Sequence, residues 1–212
     1  MIPAGYLAKR ISSRPEWLKA TGVVDIYSLS EHVSPAFADY VPYWRHNGFW
    51  LFDSPEIIRQ VAAENAIDLA GQTFFYYEVL EQQFDQNAGR WLPFEPAPLA
   101  MNPVVPSARQ LAGYDVVTFY AGAGPECSPL SCNGLAHRLA TNAHCLLESL
   151  DEARKLLEQG AFRHSGPGPY RIFSVSTLTD YSFAPWRQSV RNIPALLPCK
   201  ADNTIHETLK KK

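Results

Sequence analysis

One pattern occurs twice along this chain, and it limits the fold more than any single residue does. In the first half a short apolar run, Phe49-Trp50-Leu51-Phe52, leads into Asp53-Ser54-Pro55-Glu56. In the second half Asn142-Ala143-His144-Cys145-Leu146-Leu147 leads into Glu148-Ser149-Leu150-Asp151. Each ends in a residue that caps free backbone N–H groups, followed by a helical stripe of apolar residues. At a constant offset of 95, Asn47 matches Asn142, Leu51 matches Leu146, Ser54 matches Ser149 and Arg59 matches Arg154. Glu31 matches Glu126 at that offset, and Ser34-Pro35 matches Ser128-Pro129 at 94. The competing explanation is generic, since capping and periodicity demand similar residues in any strand-then-helix pair. The order of elements favours an internal duplication.

The remaining elements follow from local chemistry. Residues 1–22 read as an irregular leader, and Val23–Leu29 as a strand by its β-branched content. Ala36–Trp44 spaces its apolar residues for one helical face, although Pro42 limits its length. Ile57, Ile58, Val61 and Ala62 form the stripe of a helix starting at Pro55, which suits the first turn. Thr73–Leu80 is the strongest strand signal, and Asp85–Gly89 turns it back into Arg90-Trp91-Leu92. Five prolines between Pro93 and Pro106 make a semi-rigid connector. Tyr114–Tyr120 and Tyr170–Val175 read as strands flanking a second helix over Leu150–Gly160, with Gly160 fitting its end. The predicted fold class is α+β: two similar β-α-β-α-β units sharing one core. The predicted organisation is a first unit with its leader over 1–92, a connector over 93–112, a second unit over 113–178 and a tail over 179–212. Units this small bury too little surface alone, hence the shared core.

Composition excludes several classes of function. Hydrophobic residues are 46 % of the chain and charged residues 19 %, which supports a packed core rather than disorder. The 19 basic and 21 acidic residues leave a charge of −2, without the basic surplus a nucleic-acid binder needs. Lys210-Lys211-Lys212 is too small a cluster to anchor a membrane, and no apolar run is long enough to span one. Four cysteines without an export signal predict reduced thiols and a cytoplasmic protein.

Candidate chemistry concentrates in the loop after Tyr120. Cys127, Cys132, His137, His144 and Cys145 have the spacing Cys-x4-Cys-x4-His-x6-His-Cys. Structural zinc sites use tighter pairs, and adjacent His144 and Cys145 diverge on a strand. No metal and no cofactor is therefore predicted, and Cys145 reads as a buried apolar residue. Cys127 is the candidate nucleophile. His32 falls at its position in the first half and is the candidate base, with Glu126 or Glu31 orienting the imidazole. Cys132 with His137 or His144 is a weaker version, and a Cys127–Cys132 disulfide closes too small a ring to matter much. Aromatic residues around Trp44, beside Arg45-His46-Asn47, could line a groove with polar anchors.

The leading functional expectation is a soluble intracellular binding or interaction protein without catalysis of its own. Its cleft lies between the units, bordered by Glu31-His32 and Glu126-Cys127, with Trp44, Arg45, His46, Cys132 and His144 as further ligand contacts. Its partner is a small molecule or a protein, and no residue pattern sets the oligomeric state. The alternatives are a cysteine-dependent acyl- or group-transfer enzyme using Cys127 with His32, and a small metal-binding protein.

Overall fold

The structure, a computed structural model, describes residues 1–29, 35–37, 49–94, 103–119 and 127–179. A five-stranded antiparallel sheet organises them. Its strands are β1 (Ile2–Lys9), β4 (Thr73–Asp85), β5 (Arg90–Pro93), β6 (Arg109–Thr118) and β7 (Tyr170–Leu178). The order is β1-β4-β7-β6, with β5 paired to β4 as the hairpin expected from Asp85–Gly89. A separate two-residue ladder joins β2 (Ser12–Ser13) to β3 (Asp25–Ile26).

The residues predicted as leader contain β1, a strand buried along six consecutive positions. The reason is that both faces of the sheet are covered, so the alternation that betrays a half-solvated strand is absent. Pro3 and Gly5, read as loop residues, instead sit at a bulge where Gly5 takes φ 136°. Conversely, the strand expected over Val23–Leu29 shrinks to Asp25–Ile26. The apolar runs at Phe49–Phe52 and Asn142–Leu147 each make one bridge, Tyr6 to Phe52 and Tyr114 to Leu147.

Both capped helices are present. In α1 (Pro55–Glu64) Ser54 Oγ accepts from the Ile57 N–H at 3.3 Å, and in α2 (Leu150–Glu158) Ser149 Oγ accepts from the Glu152 N–H at 3.1 Å. Of the helix expected over Ala36–Trp44, residues 38–44 lie outside the described residues, and Ala36 and Phe37 belong to a 3-10 turn at Pro35–Phe37; in the second unit the place before the capped helix holds a 3-10 turn at Leu135–His137. The described part of each unit is therefore β-α-β.

These two β-α-β units meet side by side, β4 against β7. Gly5 of β1 pairs with Tyr77 of β4, Gly113 of β6 pairs with Val175 of β7, and Tyr77 pairs with Val175. On either side of that central pair, Phe75 meets Thr177 and Val79 meets Phe173. Gly5 and Gly113 both sit at bulges. At Gly113, φ 148°, an added Cβ would lie 2.8 Å from Leu146 Cβ and from the Leu147 carbonyl oxygen, so the bridge beside β6 requires glycine there.

The helices lie on one sheet face. α1 packs Ile58 and Val61 with Tyr6, Phe74 and Tyr76, and α2 packs Ala153 and Leu157 with Val116, Tyr170 and Ile172. Each large aliphatic side chain buried this way contributes about 1.5–3 kcal/mol. The opposite face carries Leu7, Phe75, Tyr77, Val117, Phe173 and Val175 under Leu29, Phe49, Leu51 and Leu146. The segment after β1 then crosses onto the second unit, where Leu18, Ala20 and Val23 join the core beneath α2. The Val24 and Asp25 amides donate to the Ala143 carbonyl and the Tyr27 amide to that of His144. The two units thus share one sheet and an interleaved core. Among the described residues no helix is long and apolar enough to cross a membrane.

Candidate functional site

Strand alternation places Asp115 of β6 on the same side as Val117, in the apolar face opposite the helices. It is fully buried there, paired across the ladder with Phe173. An ionised carboxyl in such a place needs hydrogen bonds, and these come from two different loops. The Leu29 amide donates to Oδ2 at 2.7 Å and the Ser128 hydroxyl to Oδ1 at 2.5 Å. A second tie runs alongside, Ser131 Oγ to Ser28 Oγ at 3.0 Å. One carboxylate therefore fastens the chain that leaves β3 to the chain that precedes α2.

Lys9, only 4 % exposed, completes the cluster from β1. Its Nζ donates to the Ser28 carbonyl and lies 5.2 Å from the centre of the Phe75 ring. The Tyr77 hydroxyl is buried without a hydrogen-bond partner among the described residues, and desolvation together with the Asp115 charge holds its phenol well above the ordinary range. Desolvation pushes the Asp115 carboxyl up to about 6, although Ser128, the Leu29 amide and Lys9 each favour its charged form. A carboxyl near 6 changes charge around neutral pH and so can hold or release a proton there.

Cys127, the expected nucleophile, directly precedes Ser128 of this cluster in the chain, but its charge acts on Tyr170, whereas the cysteine that acts on Asp115 is Cys132. The Cys127 backbone is locked to β6: its carbonyl accepts from the Thr118 amide at 2.8 Å, and its amide donates to Thr118 Oγ1 at 3.1 Å. Its Sγ lies 3.8 Å from Asn133 Oδ1. Cys132 is exposed, with its amide on the Ser128 carbonyl at 2.8 Å. Cys145 is buried, and desolvation raises its thiol to about 12, which makes it inert near neutral pH. None of these three cysteines is in a disulfide.

The two described histidines considered as partners for Cys132 are engaged elsewhere. His137 Nε2 accepts from the Lys19 amide at 2.6 Å. His144 Nδ1 is 2.7 Å from Asp25 Oδ1, and its ring stacks on Tyr27 at 4.0 Å. His144 thus pins β3 to the second unit. Glu31, His32, Trp44, Arg45, His46 and Glu126 lie outside the described residues. Among the described residues no group of three or more His, Cys, Asp or Glu side chains is placed to hold a metal ion.

Sequence reasoning missed Asp115, Lys9 and Ser128. A signal existed: Asp115 interrupts Tyr114-Asp115-Val116-Val117, where alternation sends it inward with Val117. A charged residue at an inward strand position asks for a buried partner. Lys9 gave no such signal, because β1 itself went unrecognised. A surface depression of about 550 Å³ is lined by Gln86, Asn87, Arg163, His164 and Gly166. None of these was a predicted site residue. No family model matches the chain, and neither a curated protein nor a solved structure matches it.

Proposed function

We propose that this is a binding protein without catalysis of its own. Its ligand, a small molecule or a protein segment, sits between the chain leaving Leu29 and the chain entering Cys127. The observation that carries the reading is Asp115, which holds the stems of both segments with one carboxylate. A buried charge is a poor way to stabilise a fold, since well-packed apolar residues do as well or better. It is a good way to fix two loops relative to each other. His32, Trp44, Arg45 and Glu126, which follow Leu29 or precede Cys127 in sequence, are the proposed ligand contacts, together with Glu31, His46, Cys132 and His144. The reading places the protein in the cytoplasm, away from nucleic acid and membranes, in keeping with its near-neutral charge.

The matching of the units supports the two-sided character of such a site, and we take the chain to be an internal duplication. Beyond the paired bulges and the two serine caps, Trp50 and Cys145 occupy matching places before the caps and both take positive φ, 60° and 61°. The offset is not constant, however. Leu51 to Leu146 is 95 residues, whereas Tyr77 to Val175 is 98 and Gly5 to Gly113 is 108. The connections, not the strands, absorbed the difference. Duplication predicts that Gly5→Ala and Gly113→Ala cost similar stability.

A fragment library screened by ligand-observed NMR tests the binding reading. Hits should lose saturable binding in Trp44→Ala and Glu126→Gln but keep it in Asn87→Ala. Hits indifferent to both seam variants, or no saturable ligand at all, would overturn it. The rival reading, Cys127 as nucleophile with His32 as base, rests on the fixed backbone of Cys127, the residue before Ser128. It requires fast labelling of Cys127 by a thiol probe at neutral pH that slows in His32→Ala. Slow labelling in the native protein removes it.

A further inference from the structure

Arg171 of β7 lies on the same sheet face as Asp115, next to Phe173 and paired across the ladder with Val117. Only 9 % of it is exposed. Its guanidinium carbon is 3.6 Å from the centre of the Phe94 ring and 3.9 Å from that of Phe119. Nε and Nη2 both donate to one neutral acceptor, Gln83 Oε1, each at 3.3 Å. Nη1 and the second N–H of Nη2 have no hydrogen-bond partner among the described residues. The described arginine–carboxylate pair is Arg109 with Glu78, and no described carboxylate neutralises Arg171. Arg109 makes a useful contrast: it also covers a ring, Tyr76, but at 5.0 Å and with Glu78 at 3.2 Å.

A cation buried against two rings and one amide is incompletely compensated. Ring quadrupoles return part of the lost hydration, and the in-plane fork of two N–H groups is not fully enclosed and takes no acceptor from the described residues. That fork is the geometry that takes a planar oxyanion in bidentate fashion. We infer that Arg171 is the anchor of a carboxylate-binding site, with Phe94 and Phe119 as its walls and Gln83 fixing the guanidinium in plane. The rings select for flatness. A carboxylate enters coplanar with the guanidinium, whereas a phosphate or sulfate pushes oxygens out of plane against Phe94 or Phe119. Burial, which also lowers the Arg171 pKa to about 10, leaves the group charged at neutral pH. This inference goes beyond the seam at Asp115 and stands on Arg171 by itself.

The test is a titration of the full chain with sodium benzoate and sodium acetate, followed at the Arg171 Nε–H resonance. Inorganic phosphate at matched ionic strength is the control. The expected result is a saturable shift with the carboxylates and none with phosphate. Arg171→Lys, which keeps the charge and loses the fork, should weaken benzoate at least about tenfold, read for both proteins from saturation transfer to the benzoate ring protons. Should that variant fail to fold, Phe119→Leu removes one wall, and weaker benzoate binding is expected from it too. A resonance that no carboxylate moves, or that phosphate moves equally, overturns the proposal. So does an Nε–H resonance that Glu95→Gln alone displaces, because the fork would then already hold the carboxylate that follows Phe94 in the chain. None of these failures bears on binding at the seam, which is read from different variants.

Discussion

Replacing Asp115 by Asn tests the polar seam most directly. The side chain keeps its shape and loses its charge, so the packing around Phe173 is little disturbed. Burial raises the carboxyl from its ordinary value of 3.8 to about 6 in the folded protein. Between those two values the folded state holds a proton that the unfolded state has released. Stability from this group is therefore fully present below about pH 4 and is lost as the pH rises through about 6. At about 1.4 kcal/mol per pK unit, the difference amounts to about 3 kcal/mol. Urea unfolding of both proteins across this range gives the measurement, and subtracting the curves cancels the groups that do not interact with Asp115. The stability of the natural protein minus that of Asp115→Asn should fall by about 3 kcal/mol between about pH 3 and 7, then level off. A difference that stays constant, or that rises with pH, would refute the account of Asp115 as a desolvated carboxyl held between two loops.

Other expectations follow from single contacts. Gly113→Ala puts a Cβ against Leu146 and the Leu147 carbonyl at 2.8 Å and should destabilise by about 2–4 kcal/mol in denaturant unfolding. Ser149→Ala removes the cap on the Glu152 amide and should cost about 1 kcal/mol, with the loss confined to α2 by hydrogen exchange. A maleimide probe at neutral pH should label exposed Cys132 and leave Cys145 untouched until the protein unfolds, which mass spectrometry of digests resolves. Rapid native labelling of Cys145 would contradict its burial.

What was legible in the sequence is what local chemistry controls. Ser54-Pro55 and Ser149 announce helix starts because an N-cap needs a side-chain acceptor within three residues, and both caps form. Thr73–Leu80, the hairpin after Asp85 and Tyr170–Val175 are visible because β-branched and aromatic runs bounded by turn residues have few alternatives. β1 was hidden because a strand covered on both faces shows no alternation. The apolar runs at Phe49 and Cys145 looked like strands but make single bridges, because burial, not pairing, demands their hydrophobicity.

The site divides along the same line. Residue types alone marked Cys127, Cys132 and His144 as chemically interesting, but only the tertiary structure engages His144 with Asp25 and Tyr27 and buries Cys145. It also makes Asp115 a shared ligand of two loops 99 residues apart, at Leu29 and Ser128. Sequence by itself determined where the two serine-capped helices begin and which strands are strong. The fold decided that β4 and β7 lie side by side, that the segment after β1 crosses to the second unit, and that Asp115, Lys9 and Arg171 are buried charges. Helix caps and turns are settled within a few residues, whereas a buried charge finds its partners only through pairings that close loops of tens of residues.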